Sequence, residues 1–259
     1  MLGTDFTTGS PDWLDLGTPD TGAAAAFYGR VFGWTLLPGG PDAGGYGFFQ
    51  LGGRTVAALG PLTEEGATSA WTLYFQTSDA DATTQAVEKG GGAVRVPPMV
   101  VMDAGRMAAY TDPAGAEFAV WEPDNVPGIE AASEVGTLLW AELHVPEPER
   151  TLGFYQGVFG WRWQEMDAPG MTYRVLSTAA GDLQDASFGG VAPLHPDIEK
   201  PLWIPYFHVA DADATATAVT ESGGSVLMPP ADTPGVGRLA WFADPFGAPF
   251  AVLKPDPTM

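Results

Sequence analysis

One eight-letter phrase occurs twice in this chain, as FYGRVFGW at residues 27–34 and FYQGVFGW at 154–161. A phrase that returns at fixed spacing marks a structural unit built more than once, and it restricts the chain to folds with internal symmetry. Trp13 through Trp34 align with Trp140 through Trp161 at an offset of 127. Farther along the offset is 132. There Asp79-Ala80-Asp81-Ala82-Thr83 meets Asp211-Ala212-Asp213-Ala214-Thr215, and Asp112-Pro113-Ala114-Gly115 meets Asp244-Pro245-Phe246-Gly247. The offset grows between Tyr173 and Pro193, which predicts a longer hairpin in the second copy. The chain therefore reads as an N-terminal domain over 11–124, a Pro/Gly/acidic linker over 125–136 and a C-terminal domain over 137–256.

Each half divides again. A strand-like run, WLDLGTP, leads into an alanine-rich helix that Thr18 or Asp20 can cap and Gly33 can stop. Three short strand-like runs follow: WTLLP, GYGFFQL and TVAALG. The scheme repeats with WTLYFQT, the helix DADATTQAVEKG, then AVRVPP, RMAAYT and EFAVWE. Strand, helix, strand, strand, strand thus occurs four times, which predicts an α+β fold of four βαβββ modules. The glycine runs at 90–92 and 223–224 follow helices, so they read as helix stops. Phosphate cradles would need a helix to begin after them.

Composition removes several function classes. With 32 acidic and 11 basic residues the net charge is −21, which repels nucleic-acid backbones and anionic membranes and tolerates cationic ligands. There is no cysteine, so disulfides, thiolate metal sites and cysteine nucleophiles are all excluded. No run of 18 apolar residues is present, and the first residues, MLGTDFTTGSPDW, lack the basic and apolar regions of a secretory signal. The expectation is a cytoplasmic protein.

The phrase FYxxVFGW after a strand, with DPxGxxFxVxEP closing the second module, resembles the vicinal oxygen chelate superfamily, which includes glyoxalase I, bleomycin-resistance proteins and extradiol dioxygenases. The resemblance covers nearly the whole chain and is greatest to a tandem, four-module actinobacterial subgroup. It implies two pseudo-symmetric, cup-shaped, glyoxalase-like domains, each made of two modules. Four modules in one chain close both cups, so a monomer is expected. Metal-dependent relatives carry His or Gln near the start of each module's first strand and Glu on its last strand. Those positions fall here near Trp13, Thr72, Trp140 and Ile204, and near Ala58, Ala119, Gly190 or Ala192, and Ala251. Apart from the weak hydroxyl of Thr72, none offers a ligand for a divalent ion, so neither metal nor cofactor is expected.

Three histidines remain. His144 and His208 occupy matching places in the third and fourth modules, LHVPEPE and FHVADAD, and Glu142 and Tyr206 stand two residues before them on the same strand face. His144, His208 and Glu142 are the candidates for acid/base catalysis. The alternatives left open are ordinary strand-end histidines, or a two-His, one-carboxylate metal site. Trp13, Asp15, Tyr74, Gln76, Trp121, Trp140 and Tyr206 are the candidates for holding a substrate, the rings by stacking on a planar molecule and Asp15 or Gln76 as polar anchors. The two halves differ at these places, so equal chemistry is not expected of them. The functional expectation is a metal-independent protein that binds a planar aromatic small molecule, an antibiotic or an aromatic polyketide intermediate, for sequestration or biosynthetic tailoring. The alternative is a metal-dependent lyase, isomerase or dioxygenase/hydroxylase of the same superfamily.

Overall fold

A computed structural model of the chain describes residues 2–64, 66–168, 171–195 and 198–256. The first half runs β1 (Pro11–Thr18), α1 (Thr21–Phe32), β2 (Thr35–Pro38), β3 (Gly47–Leu51), β4 (Arg54–Pro61), β5 (Ala70–Gln76), α2 (Ala80–Lys89), β6 (Ala93–Val101), β7 (Gly105–Thr111) and β8 (Glu117–Pro123). The second half runs β9 (Leu138–Val145), α3 (Pro148–Phe159), β10 (Arg162–Ala168), β11 (Met171–Ser177), β12 (Ser187–Pro193), β13 (Leu202–His208), α4 (Ala212–Glu221), β14 (Ser225–Thr233), β15 (Gly237–Ala243) and β16 (Pro249–Pro255). This is the α+β architecture of four βαβββ modules.

The helix ends follow local chemistry. Asp20, Asp79 and Asp211 are the N-caps of α1, α2 and α4, each accepting from a backbone N–H in the first turn. At α1, Asp20 holds this place and Thr18 is a fully buried strand residue. The third helix has Glu147 at this position with no side-chain cap bond, and Pro148 opens it instead. Gly33 and Gly160 end α1 and α3 in the left-handed region, at φ of 76° and 70°.

Each half forms one curled eight-stranded sheet, with orders β2-β3-β4-β1-β5-β8-β7-β6 and β10-β11-β12-β9-β13-β16-β15-β14. Within each module the first and last strands are parallel neighbours, as in Asp15 opposite Ala58 and Glu142 opposite Gly190. The longer hairpin is where the offset placed it: residues 178–186 join β11 to β12, whereas Gly52-Gly53 join β3 to β4.

Packing groups the modules in another way. One compact unit contains Thr72–Gly128 and Trp140–Ile204 with the N-terminal residues through Trp13; the other contains Leu14–Trp71 and Ile129–Leu139 with the C-terminal residues from Pro205. The first has an aromatic core in which Phe75, Phe118, Tyr155, Trp161 and Trp203 meet edge-on, tilted or stacked. Tyr28, Phe32, Trp34, Trp71 and Phe250 do the same in the second.

The repeated phrase is explained by these cores. In the first unit Trp203 donates through Nε1 to the Tyr155 hydroxyl at 3.0 Å, and Tyr155 donates to Asp112 Oδ2 at 3.1 Å. In the second, Trp71 donates to Tyr28 at 3.0 Å, and Tyr28 to Asp244 at 3.4 Å. The other oxygen of each aspartate accepts the backbone N–H groups of its own DPxG turn. Burial holds Asp112 and Asp244 above the usual carboxylate range, although these bonds pull the other way. The phrase-ending indoles also repeat a bond: Trp161 donates to Gly9 O at 3.0 Å and Trp34 to Gly136 O at 2.7 Å. Gly9 and Gly136 have φ of +82° and +87°, so the structural repeat starts before the point where the sequence match begins.

Candidate functional site

The strand β9, LLWAELHV, alternates. Leu139, Ala141 and Leu143 are buried on one face, and Trp140, Glu142 and His144 stand on the other. The neighbouring strand β12 contributes Gly190 opposite Glu142 and Ala192 opposite His144. One strand farther, Val175 on β11 lies opposite Gly190, which puts Tyr173 on the same face. The glycine makes the next step possible. A Cβ at position 190 would lie 2.0 Å from the Tyr173 hydroxyl, so only the bare backbone lets the phenol lie across β12 and reach β9.

The result is a connected set inside the first compact unit. Trp140 donates through Nε1 to the Tyr173 oxygen at 2.9 Å, and Tyr173 donates to Glu142 Oε2 at 2.6 Å. The other oxygen, Oε1, meets His144 Nε2 at 2.7 Å. Glu142 and His144 are both buried. Burial and then the neighbouring Glu142 charge raise the Tyr173 pKa well above its ordinary value, so the phenol stays protonated and acts as a donor. Glu142 and His144 were both singled out by strand position. Tyr173 and Gly190 were not assigned these roles, because the phenol–carboxylate contact crosses an intervening strand; the signal available was a Gly-Gly pair inside a strand.

The first half has a shorter version. Tyr46 donates to Asp15 Oδ2 at 3.0 Å, and these are the residues 127 positions before Tyr173 and Glu142. Gly17 stands at the position of His144. The remaining candidates are placed as follows. Tyr74 and Gln76 lie on β5 opposite Ala119 and Trp121, and Trp121 donates to Val126 O at 2.8 Å. Trp13 is buried. Tyr206 accepts from Trp241 Nε1 at 2.8 Å. His208 ends β13 in the second unit, with Nδ1 held 3.1 Å from Ser133 O. His195 is in the loop after β12.

The register also tests the metal set that the resemblance implies. Ala58, Ala119, Gly190 and Ala251 sit opposite Asp15, Tyr74, Glu142 and Tyr206, so these last-strand positions carry no donor. Among the described residues no group of three or more His, Asp or Glu side chains is arranged to hold an ion. The residues present do not fit such a metal.

Paired βαβββ modules with curled sheets define a glyoxalase-type fold, and the sequence comparisons agree. The chain belongs to the Glyoxalase/Bleomycin resistance protein/Dioxygenase superfamily, whose family model matches residues 10–120 and 137–252. It is 41% identical to a Mycobacterium tuberculosis protein named "Putative glyoxylase CFP32", over 98% of this chain and 97% of that one. It is 38% identical to the anthracycline biosynthesis protein DnrV of Streptomyces peucetius, over 97% of this chain and 95% of that one. Among solved structures, the 2,2',3-trihydroxybiphenyl 1,2-dioxygenase of Sphingomonas wittichii superposes with a TM-score of 0.66 at 15% identity, covering 96% of this chain and 91% of that one. A Mn(II)-bound glyoxalase from Novosphingobium aromaticivorans superposes at 0.64 with 19% identity, covering 96% and 83%. At these identities the structures speak for the fold alone. No helix among the described residues is long and apolar enough to cross a membrane.

Proposed function

We propose that this protein binds a planar aromatic small molecule of the aromatic-polyketide class and acts on it by metal-independent proton transfer. The observation that carries the reading is the Trp140–Tyr173–Glu142–His144 chain of hydrogen bonds. A carboxylate held by a phenol on one oxygen and facing an imidazole on the other orients that ring and stabilises the imidazolium formed when it takes up a proton. Trp140 is half-buried at the head of the chain and offers a ring face for stacking. The ligand class is supported by the anthracycline biosynthesis named for the Streptomyces relatives. Metal independence is supported by the alanines and glycine at the strand positions where ligands would stand.

The test uses a panel of anthracycline-type polyketides. Saturable quenching of tryptophan emission is expected, with Kd in the roughly micromolar range. Each ligand that binds is then incubated with chelator-treated protein and followed by absorbance and mass spectrometry. Conversion that persists in chelator and is lost in Glu142→Gln supports the reading. Conversion restored only by added metal overturns metal independence, and no quenching by any member overturns the ligand class.

A further inference from the structure

We infer that the second compact unit carries a separate small-molecule cleft around His208, suited to a neutral phenol-class ligand. The cleft has a volume of about 330 Å³, within the range of small-ligand sites, and its lining includes Val31, Phe32, Val135, His208, Val209 and Ala214. The inference stands apart from the Glu142 site, which is built from other residues of the other unit.

Two observations give the cleft its chemistry. The first is the tautomer of His208. Its Nδ1 lies 3.1 Å from Ser133 O, and a carbonyl oxygen only accepts, so in the neutral ring Nδ1 carries the hydrogen and Nε2 the lone pair. Nε2 is therefore an acceptor that calls for an O–H or N–H donor on the ligand. The second is an asymmetry between the compact units. Phe159, the counterpart of Phe32, is buried at 4% exposure, whereas Phe32, packed on Tyr28, Trp34, Phe207 and Phe250, stays half-buried. The repeat thus leaves part of one aromatic ring exposed where the other unit buries it. At the position of His208 that unit carries Gln76. Apolar side chains, the half-buried Phe32 ring and the fixed His208 acceptor, with the Asp211 carboxylate and Thr215 also in the lining, fit an aromatic alcohol that donates its O–H. The chain's net charge of −21 disfavours anionic ligands, which selects the neutral phenol over a carboxylate.

The probe is 4-fluorophenol, followed by fluorine NMR, with 4-fluoroanisole as the comparator that keeps the ring and lacks the donor. Saturable binding of the phenol is expected, with the anisole about tenfold weaker, the loss of one hydrogen bond. Ala214→Trp adds bulk from an exposed helix position and should abolish binding, and His208→Phe should weaken the phenol to the level of the anisole. Glu142→Gln should bind the phenol as the parent does. Equal binding of phenol and anisole, retention of binding in Ala214→Trp, or no saturable signal overturns the inference. Loss of the signal in Glu142→Gln also overturns it, by assigning the phenol to the other site. Should His208→Phe fail to fold, the anisole comparison and Ala214→Trp decide.

Discussion

In the second half of the chain, Tyr173 reaches Glu142 at 2.6 Å and His144 meets the same carboxylate at 2.7 Å; in the first, Tyr46 reaches Asp15 at 3.0 Å and a glycine stands where the histidine would be. The strands, the register and the phenol are shared. The differences are one methylene in the acid, one imidazole, and Ala58 in place of the glycine at 190. That methylene lets Glu142 lie between two partners, and the imidazole gives the set a group that can both accept and donate a proton. The shared phenol–carboxylate pair is thus a scaffold feature of both halves, and the histidine that the proposed proton transfer needs is present in one. The two compact units agree more closely in their cores: the Trp–Tyr–Asp chains at Asp112 and Asp244 repeat down to the acceptor oxygen.

The largest expected effect separates the two sets. On a ligand that is converted, His144→Ala should lower turnover by about 10²–10⁴-fold, the span of a lost acid/base group, with a smaller change in binding. Asp15→Asn should leave turnover within a few-fold. A comparable loss in both variants would show that the halves work as one site and would break the contrast.

The next test asks whether the repeated cores are as equal as they look. Asp112→Ala strands three turn N–H groups and the Tyr155 hydroxyl. It should cost about 3 kcal/mol in chemical denaturation, and Asp244→Ala should cost a similar amount. A large inequality would mean that one unit dominates stability.

Gly190→Ala sharpens the comparison at its centre. The new methyl would lie 2.0 Å from the Tyr173 oxygen, so the phenol must leave Glu142. A loss of about 1–3 kcal/mol in stability is expected, with weakened ligand binding measured by quenching. Ala58, which replaces this glycine in the first half, should accept glycine with a smaller change.

The smallest effect concerns a residue with no functional part. Asp12 is fully buried where the second half has Leu139, and neither carboxyl oxygen makes a well-formed hydrogen bond among the described residues. Burial raises its pKa well above the usual range, opposed by the backbone N–H groups of Asp12 and Trp13. A raised folded-state pKa means that the folded form binds the proton more tightly. Its contribution is then fully present below the ordinary carboxylate range and is lost as pH rises through the folded value. Asp12→Leu should therefore raise stability at neutral pH by about 1–2 kcal/mol, with the gain shrinking as pH falls toward about 4 in denaturation curves. A gain that does not change with pH would assign it to packing.

What could be read from the sequence was whatever the chain encodes locally or repeats. Gly33 as a helix stop, the four modules and the longer hairpin all follow from residue type and spacing. Glu142 and His144 shared a face by alternation alone. Tyr173 escaped assignment because its partner is set by register over three strands and by the space Gly190 leaves. The grouping of Asp112 with Tyr155, and of Asp244 with Tyr28, escaped because nothing local says which turn a buried tyrosine will meet.

That last grouping also constrains how the protein is made. The hydrogen bond from Tyr28 to Asp244 spans 216 residues. The unit that contains Leu14–Trp71 cannot complete its core until residues beyond Pro205 have left the ribosome. During translation, the first module waits with an aromatic face that the last module helps to cover, while the middle modules already have each other. Refolding in vitro should accordingly show a fast phase reported by Trp161 and Trp203 and a slower one reported by Trp34 and Trp71, since contacts distant in sequence form late.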